Sequence, residues 1–320
     1  MKNFFILFIG GLLFIQSSYS QRKETFKAYE DSIINLHRQV LMEENAIAKY
    51  QKNESLLYLV EEALSQRNSI NYPFDSLKTM SVLISPDKKV RLFTWYLVDD
   101  EGFHDHFGYI QAYNEVKKRY MLYPLTDKWK QIILPENKRL DHLSWYGAVY
   151  YQIIKTETYQ KTYYTLLGWN GGSIFSQFKV IDVLSFNNRG YPVFGAFLFR
   201  SYGRNKPMRI IFEYAKKSSL NLRYEKQGYT EKSKKIDRRT KRYRIDTLST
   251  TMIIFDRLIP MDEKLPDVPQ FRVGESSLND GFLEKEGKWY FKEGVIGRNP
   301  DKPLPKYEYK PKDLYRKTKN

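Results

Sequence analysis

The chain has 320 residues, a formal net charge of +16, 16% aromatic residues and no cysteine. A globular chain of this size buries roughly three quarters of the surface that it exposes when unfolded, so a core can form without disulfides. The lack of cysteine excludes disulfide bonds, thiol catalysis and thiolate metal sites.

The first residues have the three-part layout of a secretory signal: a positive charge at Lys2, an apolar run over 4–15, and small residues at Ser18 and Ser20. The apolar run is too short for a transmembrane helix, which needs about 20 residues. We therefore predict a signal peptide over 1–20 that is cleaved near Ser20. The mature chain would have no transmembrane segment and would lie in the periplasm, or outside the cell at its surface.

Residues 21–72 are predicted to be a helical segment. Apolar residues from Phe26 to Ile47 recur at steps of three and four, which places them on one face of a helix. Asn53 has the chemistry of an N-cap and would begin a second, short helix that ends before Pro73. We expect both helices to pack on the main body of the protein.

From about residue 79 the apolar period changes to two, which is typical of β-strands. Turn sequences separate about a dozen short runs, and the connections are too short for the crossovers of parallel strands. The sequence therefore predicts a mainly β fold with an N-terminal helical segment. The strands would form an antiparallel meander, arranged as a curved sheet, a sandwich or a propeller-like body. Among the predicted strand segments are 145–155, 192–200, 220–225 and 242–247, and a final hairpin spans 281–292.

Most of the excess positive charge lies in two segments. Segment 231–246 holds eight basic and three acidic residues, and segment 298–320 holds the same numbers. The second segment is a tail rich in proline, lysine and tyrosine that follows a β-rich domain over 73–297. Basic clusters attract anionic polymers and lipid headgroups, although such runs are also commonly solvated and unselective. The candidate binding residues are Lys232, Lys234, Lys235, Arg238, Arg239, Lys241, Arg242 and Arg244.

The strand segments 163–170, 179–186 and 192–195, with the ending 279–291, resemble a family of exported proteins from Bacteroidota-type bacteria. The resemblance covers the β-rich part of the chain. It implies a location in the envelope of a Gram-negative bacterium. The family has no established activity, so the resemblance carries no catalytic or binding residue over to this chain.

His104 and His106 flank Asp105 in a predicted strand, so both imidazoles would lie on the same side of that strand. Two imidazoles and a carboxylate can bind a divalent metal, which makes this pair the candidate metal site, with His37 or His142 as a possible third ligand. The alternative is a pair of surface histidines on the polar face of a half-buried strand. No other cofactor is predicted.

Two functions stay open from the sequence. The first is a non-catalytic protein that binds an envelope macromolecule, namely an anionic glycan, a lipid headgroup or a protein, and no nucleic acid. The alternative is an exported hydrolase of glycan or peptide, because two suitably spaced carboxylates suffice for glycoside hydrolysis. Asp182, Glu213 and Asp256 are acids within predicted strands, where acids more often face solvent. Trp169, beside the turn 170–172, is the aromatic residue that we expect at a binding surface.

Overall fold

The computed structural model describes residues 24–203, 206–236, 238–239, 243–266 and 268–295. The predicted signal peptide over 1–20 and the predicted basic tail over 298–320 lie outside the described residues, as do Lys241 and Arg242. Among the described residues, no helix combines the length and the apolar character needed to cross a lipid bilayer.

Two helices precede the strands: α1 occupies 24–42 and α2 occupies Ala46–Ser65. The N-cap of α2 is Asn45, whose side-chain oxygen accepts a 2.9 Å hydrogen bond from the backbone N–H of Ala48. The prediction that Asn53 caps the second helix is wrong. Asn53 lies inside α2, is buried, and accepts a 2.9 Å hydrogen bond from the indole nitrogen of Trp95. A distant tryptophan, which local sequence cannot reveal, explains why an asparagine occupies this helical position.

The first sheet is an antiparallel meander whose strands follow chain order. Its strands are β1 (Ser81–Ile84), β2 (Val90–Val98), β3 (His104–Asn114) and β4 (Arg119–Thr126), in the order β1-β2-β3-β4. One face of this sheet contacts the two helices, because Phe93, Trp95 and Leu97 pack with buried residues of α1 and α2.

The second sheet has six strands and lies against the other face of the first. Its strands are β5 (Leu140–Asp141), β6 (Val149–Glu157), β7 (Thr162–Asn170), β8 (Ser176–Phe186), β9 (Pro192–Phe194) and β11 (Ile210–Ala215). The order is β5-β9-β8-β7-β6, and β11 pairs with β8. Leu92 and Ile110 of the first sheet share a buried apolar cluster with Leu166 and Val180 of the second.

The third sheet has five strands in the order β10-β15-β14-β13-β12. Its strands are β10 (Phe199–Arg200), β12 (Leu222–Ile236), β13 (Tyr243–Pro260), β14 (Arg272–Lys285) and β15 (Lys288–Val295). The pairs are antiparallel except for the two-residue pair of β10 with β15. On the face of the second sheet that does not contact the first, Ile181 packs in one cluster with Phe255, Phe282 and Trp289 of the third sheet.

The molecule is therefore a stack of four layers, namely the two helices and three sheets. The prediction of a mainly β, antiparallel fold with N-terminal helices is confirmed. The propeller-like alternative is wrong, because the described sheets stack face to face, so that the first and second are each covered on both faces. A buried sheet needs apolar residues on both faces, and residues 90–95 of β2 are buried without interruption.

Some predicted strand segments also differ from the structure. Segment 145–155 becomes strand only at Val149, and segment 192–200 is divided between β9 and β10 because Gly195 turns the chain at a φ of +91°. Segments 220–225 and 242–247 overlap strands of 15 and 18 residues that begin at Leu222 and Tyr243. The final hairpin predicted over 281–292 is confirmed, and it turns at Glu286 and Gly287.

Candidate functional site

The described residues of the basic segment 231–246 lie at the outer end of the long hairpin made by β12 and β13; we call this end the basic hairpin. β13 pairs with β14 only from Ile253 onward, so within the described residues the basic hairpin is paired with itself alone. Of the eight predicted binding residues, Lys232 and Lys234 lie on β12, and Lys241 and Arg242 are outside the described residues. The other four have exposed side chains and lie at the same end of the hairpin: Lys235, Arg238, Arg239 and Arg244.

Apolar side chains accompany these cations. Ile236 on β12 and Tyr243 and Ile245 on β13 are 51%, 59% and 70% exposed, which is unusual for apolar residues at neighbouring positions on one face of a hairpin. Ile236 is the cross-strand partner of Tyr243, and Tyr243 and Ile245 are two residues apart, so all three share one face of the hairpin. The basic hairpin thus presents this apolar face beside the cations of its turn, Arg238 and Arg239, whereas Arg244 alternates with Tyr243 and Ile245 and lies on the opposite face of β13.

His104 and Trp169, which were singled out separately from sequence, are in contact. The imidazole of His104 stacks on Tyr96 with ring centroids 5.2 Å apart, and Trp169 meets it edge-on at 5.4 Å. Burial lowers the pKa of His104 to about 4, with smaller contributions from the charges of Lys216 and His106. Trp169 is half-buried and donates a 2.9 Å hydrogen bond to Gln177. The aromatic rings of this cluster cover one another, so we interpret the contact of His104 with Trp169 as structural packing.

His106 has a structural partner as well. Its Nδ1 donates to Oδ2 of Asp127 at 2.8 Å, and the same carboxylate oxygen accepts the backbone N–H of His106 at 2.9 Å. The other oxygen of Asp127 accepts the backbone N–H of Trp129 at 2.9 Å, and the Trp129 indole donates to the carbonyl of His104. The two histidines therefore support the position of Trp129.

The alternative of two surface histidines is wrong, since His104 and His106 are 7% and 1% exposed. The candidate metal site lacks a third ligand in the part of the chain that is described, where no group of three or more His, Asp or Glu could hold an ion. His37 contacts Thr79 at 2.7 Å, and His142 stacks on Tyr191, so neither joins the pair on β3.

A cleft of about 630 Å³ opens between the second and third sheets. Six aromatic side chains line it. Three of them are buried and three are half-buried, and we call these two groups the floor and the rim of the cleft: Tyr146, Phe212 and Phe255, and Trp129, Phe178 and Tyr202. Its volume lies within the range of roughly 300–1,000 Å³ that is usual for ligand sites.

Charged side chains of both signs also line the cleft: Glu136, Glu213, Asp280, Arg257 and Arg272. Arg257 binds Asp280 through two hydrogen bonds of 2.9 and 2.6 Å, so these two charges neutralise each other. Burial raises the pKa of the Glu136 carboxyl above its ordinary value. Glu213 accepts a 2.7 Å hydrogen bond from the hydroxyl of Ser176.

Two tyrosines line the cleft, and the charges around it raise their pKa values. Burial and the negative charges of Glu136 and Asp280 raise the pKa of Tyr202 to about 12. The pKa of Tyr146 is raised by burial first and then by the charge of Glu213, with Glu136 also contributing. Both phenols therefore stay protonated at neutral pH and can donate hydrogen bonds to a ligand.

The three strand acids considered in the sequence have different environments. Asp182 is completely buried against Arg209, and Asp256 accepts hydrogen bonds from the backbone and side chain of Asn221, so both are structural. Their predicted solvent exposure is wrong. Glu213 alone of the three lines the cleft.

Sequence reasoning missed the other polar residues of this cleft: Glu136, Tyr146, Arg257, Arg272 and Asp280. They come from a short 3₁₀ turn, a loop and the two strands β13 and β14, and no local spacing links them. Their only sequence signal is the high aromatic content that surrounds them.

No protein-family model, no curated protein and no solved structure matches this chain. The resemblance to exported proteins of Bacteroidota-type bacteria therefore stays a prediction.

Proposed function

We propose that this protein binds anionic lipid headgroups of the bacterial envelope through the basic hairpin. The observation that carries the proposal is the combination of four exposed cations with an exposed apolar face formed by Ile236, Tyr243 and Ile245. Cations are attracted to the negative potential of an anionic membrane, and apolar side chains beside them can enter the boundary between headgroups and acyl chains.

The apolar face favours a lipid surface over a soluble anionic glycan. A polysaccharide would engage the cations but would leave Ile236 and Ile245 in water, where their exposure has no energetic benefit. A lipid surface that receives the end of the hairpin can contact the apolar face together with Arg238 and Arg239, which lie in the turn. The location in the envelope and the absence of catalysis at this surface are part of the proposal.

The test is cosedimentation of the full chain with vesicles of phosphatidylcholine, with and without phosphatidylglycerol. We expect binding only to the anionic vesicles, and loss of this binding at high salt, because salt screens exposed charges. Each basic residue near such a surface contributes about 1 kcal/mol, so a variant with Lys235, Arg238, Arg239 and Arg244 changed to glutamine should bind roughly a hundredfold more weakly or worse.

The matched control removes four exposed lysines elsewhere: Lys78, Lys117, Lys217 and Lys264. It has the same net charge as the hairpin variant and should retain most of the binding. A second variant, Ile236→Ser with Ile245→Ser, keeps every charge and should also bind less. Equal loss of vesicle binding in the hairpin variant and the lysine control would show that binding depends on net charge alone and not on the basic hairpin. Binding to polygalacturonate but not to vesicles would show that the basic hairpin binds an anionic glycan, and would overturn the proposal of a lipid ligand.

A further inference from the structure

The aromatic cleft between the second and third sheets has features that the basic hairpin does not explain. The cleft is distinct from the hairpin, since its rim residues Trp129 and Phe178 belong to a turn after β4 and to β8. Trp129 and Phe178 contact each other with ring centroids 5.7 Å apart and are both half-exposed. Half-exposed rings at the mouth of a cleft provide flat apolar surfaces against which a ligand can stack.

The floor of the cleft offers a hydrogen-bonding group. The ring of Tyr146 is 4% exposed and lines the cleft. Its phenol can both donate and accept a hydrogen bond. Because Tyr146 lines the cleft, a ligand or water inside the cleft is the natural partner of this hydroxyl.

Carboxylates line the same cleft as this hydroxyl. Glu213 and Glu136 both belong to the lining, and their negative charges raise the pKa of Tyr146. One oxygen of Glu213 accepts the hydroxyl of Ser176, so its other oxygen is available to accept from a ligand. The carboxylate of Glu136 accepts a long hydrogen bond of 3.4 Å from the backbone N–H of Ile211.

The charges that line the cleft nearly cancel. Three acids and two arginines give −3 + 2 = −1, and Arg257 already neutralises Asp280. The remaining charges of the lining are those of Glu136, Glu213 and Arg272. A strongly anionic ligand would therefore be repelled by the two acids, and a strongly cationic ligand would be repelled by the arginines.

We infer that the cleft binds an uncharged saccharide, with sugar rings stacked on Trp129 and Phe178 and hydroxyl groups bonded to Tyr146 and Glu213. A sugar ring has an apolar C–H face that suits an aromatic ring, and its hydroxyls both donate to carboxylates and accept from phenols. The near-neutral lining and the half-exposed rim fit this ligand class better than a charged polymer. The inference does not depend on the basic hairpin or on lipid binding.

The cleft walls are held by buried polar contacts, which gives a saccharide site a preformed shape. Trp129 is fixed by its backbone bond to Asp127 and by its indole bond of 2.9 Å to the carbonyl of His104. The turn that carries Glu136 is held by Arg209, which donates to the carbonyl of Lys138 at 2.9 Å. A rigid site loses less conformational entropy when its ligand binds.

The experiment is isothermal titration calorimetry of the full chain with uncharged oligosaccharides, namely cellohexaose, xylohexaose, laminarihexaose and mannohexaose. We expect at least one of them to bind. Tyr146→Phe should weaken that binding roughly tenfold, the usual effect of one lost hydrogen bond, and Glu213→Gln should weaken it at least as much. Tyr58→Phe, which removes an exposed hydroxyl on α2, should have no effect.

Tyr146→Phe keeps the buried ring and removes only the hydroxyl, so its thermal unfolding should stay close to that of the unchanged chain and any loss of binding is then local. The hairpin variant that fails to bind vesicles should still bind the saccharide. Failure of all four oligosaccharides to bind would overturn the inference. Binding that is indifferent to both Tyr146→Phe and Glu213→Gln, or binding of an oligolysine peptide in preference to every saccharide, would overturn it equally.

Discussion

Nε of Arg209 lies 3.1 Å from Oδ1 of Asp182, and both side chains are completely buried. The same guanidinium donates to backbone carbonyls of the turn 135–138, which carries Glu136 to the wall of the cleft. This ion pair therefore joins the centre of the second sheet to the cleft. Neither charge has access to water, so each depends on the other for compensation.

Replacing Asp182 with asparagine should destabilise the protein by about 3 kcal/mol or more, because Arg209 would remain buried without a counter-charge. Urea-induced unfolding followed by tryptophan fluorescence measures this change. The control is Glu115→Gln, which breaks an ion pair with Lys89 whose side chains are 57% and 51% exposed, and should change stability little. Similar small losses in both variants would mean that the interior around Arg209 is hydrated.

The sheets could be predicted because their strands are half- or fully buried and show it in their apolar pattern. The final hairpin could be predicted because its turn contains Gly287. Glu286 and Gly287 have φ angles of 53° and 75°, a backbone geometry that favours a glycine-containing turn. The predicted lengths of β12 and β13 are too short because the outer part of this hairpin gives no such signal. It is exposed and basic, so it lacks the alternation that identifies a strand.

The cleft could not be predicted from sequence. Glu136, Tyr146, Glu213 and Asp280 come together only because the second and third sheets stack at a particular offset. Strand patterns report which face of a strand is buried, but they do not report which strands of two sheets meet. The contact of His104 with Trp169 was missed for the same reason, although both residues had been singled out individually.

Asn53 offers a test of how the helices are attached to the first sheet. Asn53→Ala should favour the helix by propensity but should still destabilise the protein by about 1–3 kcal/mol, because the buried indole N–H of Trp95 would lose its acceptor. In a chain with Trp95→Phe, which has no indole N–H, Asn53→Ala should cost much less, and chemical unfolding of the single and double variants measures this coupling. Equal costs of Asn53→Ala with and without the indole would show that the hydrogen bond to Trp95 is not what holds this residue in place.

Gly171 tests the packing around His104. An added Cβ at residue 171 would lie 1.9 Å from Cδ2 of His104, whose ring is confined by Tyr96 and Trp169. Gly171→Ala should therefore cost about 1–3 kcal/mol of stability. His104→Ala removes the obstructing ring, so adding Gly171→Ala to that variant should cost much less, and the double-mutant cycle should show coupling.

The control for that cycle is Gly228→Ala, since Cβ at residue 228 would meet its nearest neighbour at 3.8 Å. This change should leave stability unchanged or slightly higher, because alanine restricts the unfolded chain more than glycine does. Strictly additive effects of Gly171→Ala and His104→Ala would show that the two residues are not in contact.

His37 should make stability depend on pH. Burial lowers its pKa from 6.5 to about 4, so the folded protein keeps the imidazole neutral while the unfolded chain protonates it. Its contribution is fully present above the unfolded pKa and is lost as the pH falls from there toward the folded pKa. Between about pH 7 and about pH 5 the loss should be on the order of 2 kcal/mol.

Chemical unfolding at both pH values, compared between the unchanged chain and His37→Gln, isolates this residue from the carboxylates that also titrate in acid. The glutamine variant should lose less stability between the two pH values, and the difference should vanish between about pH 7 and about pH 8, where His37 is neutral in both states. A variant whose stability falls in parallel with that of the unchanged chain would indicate that His37 titrates normally and that its burial against Thr79 is only transient.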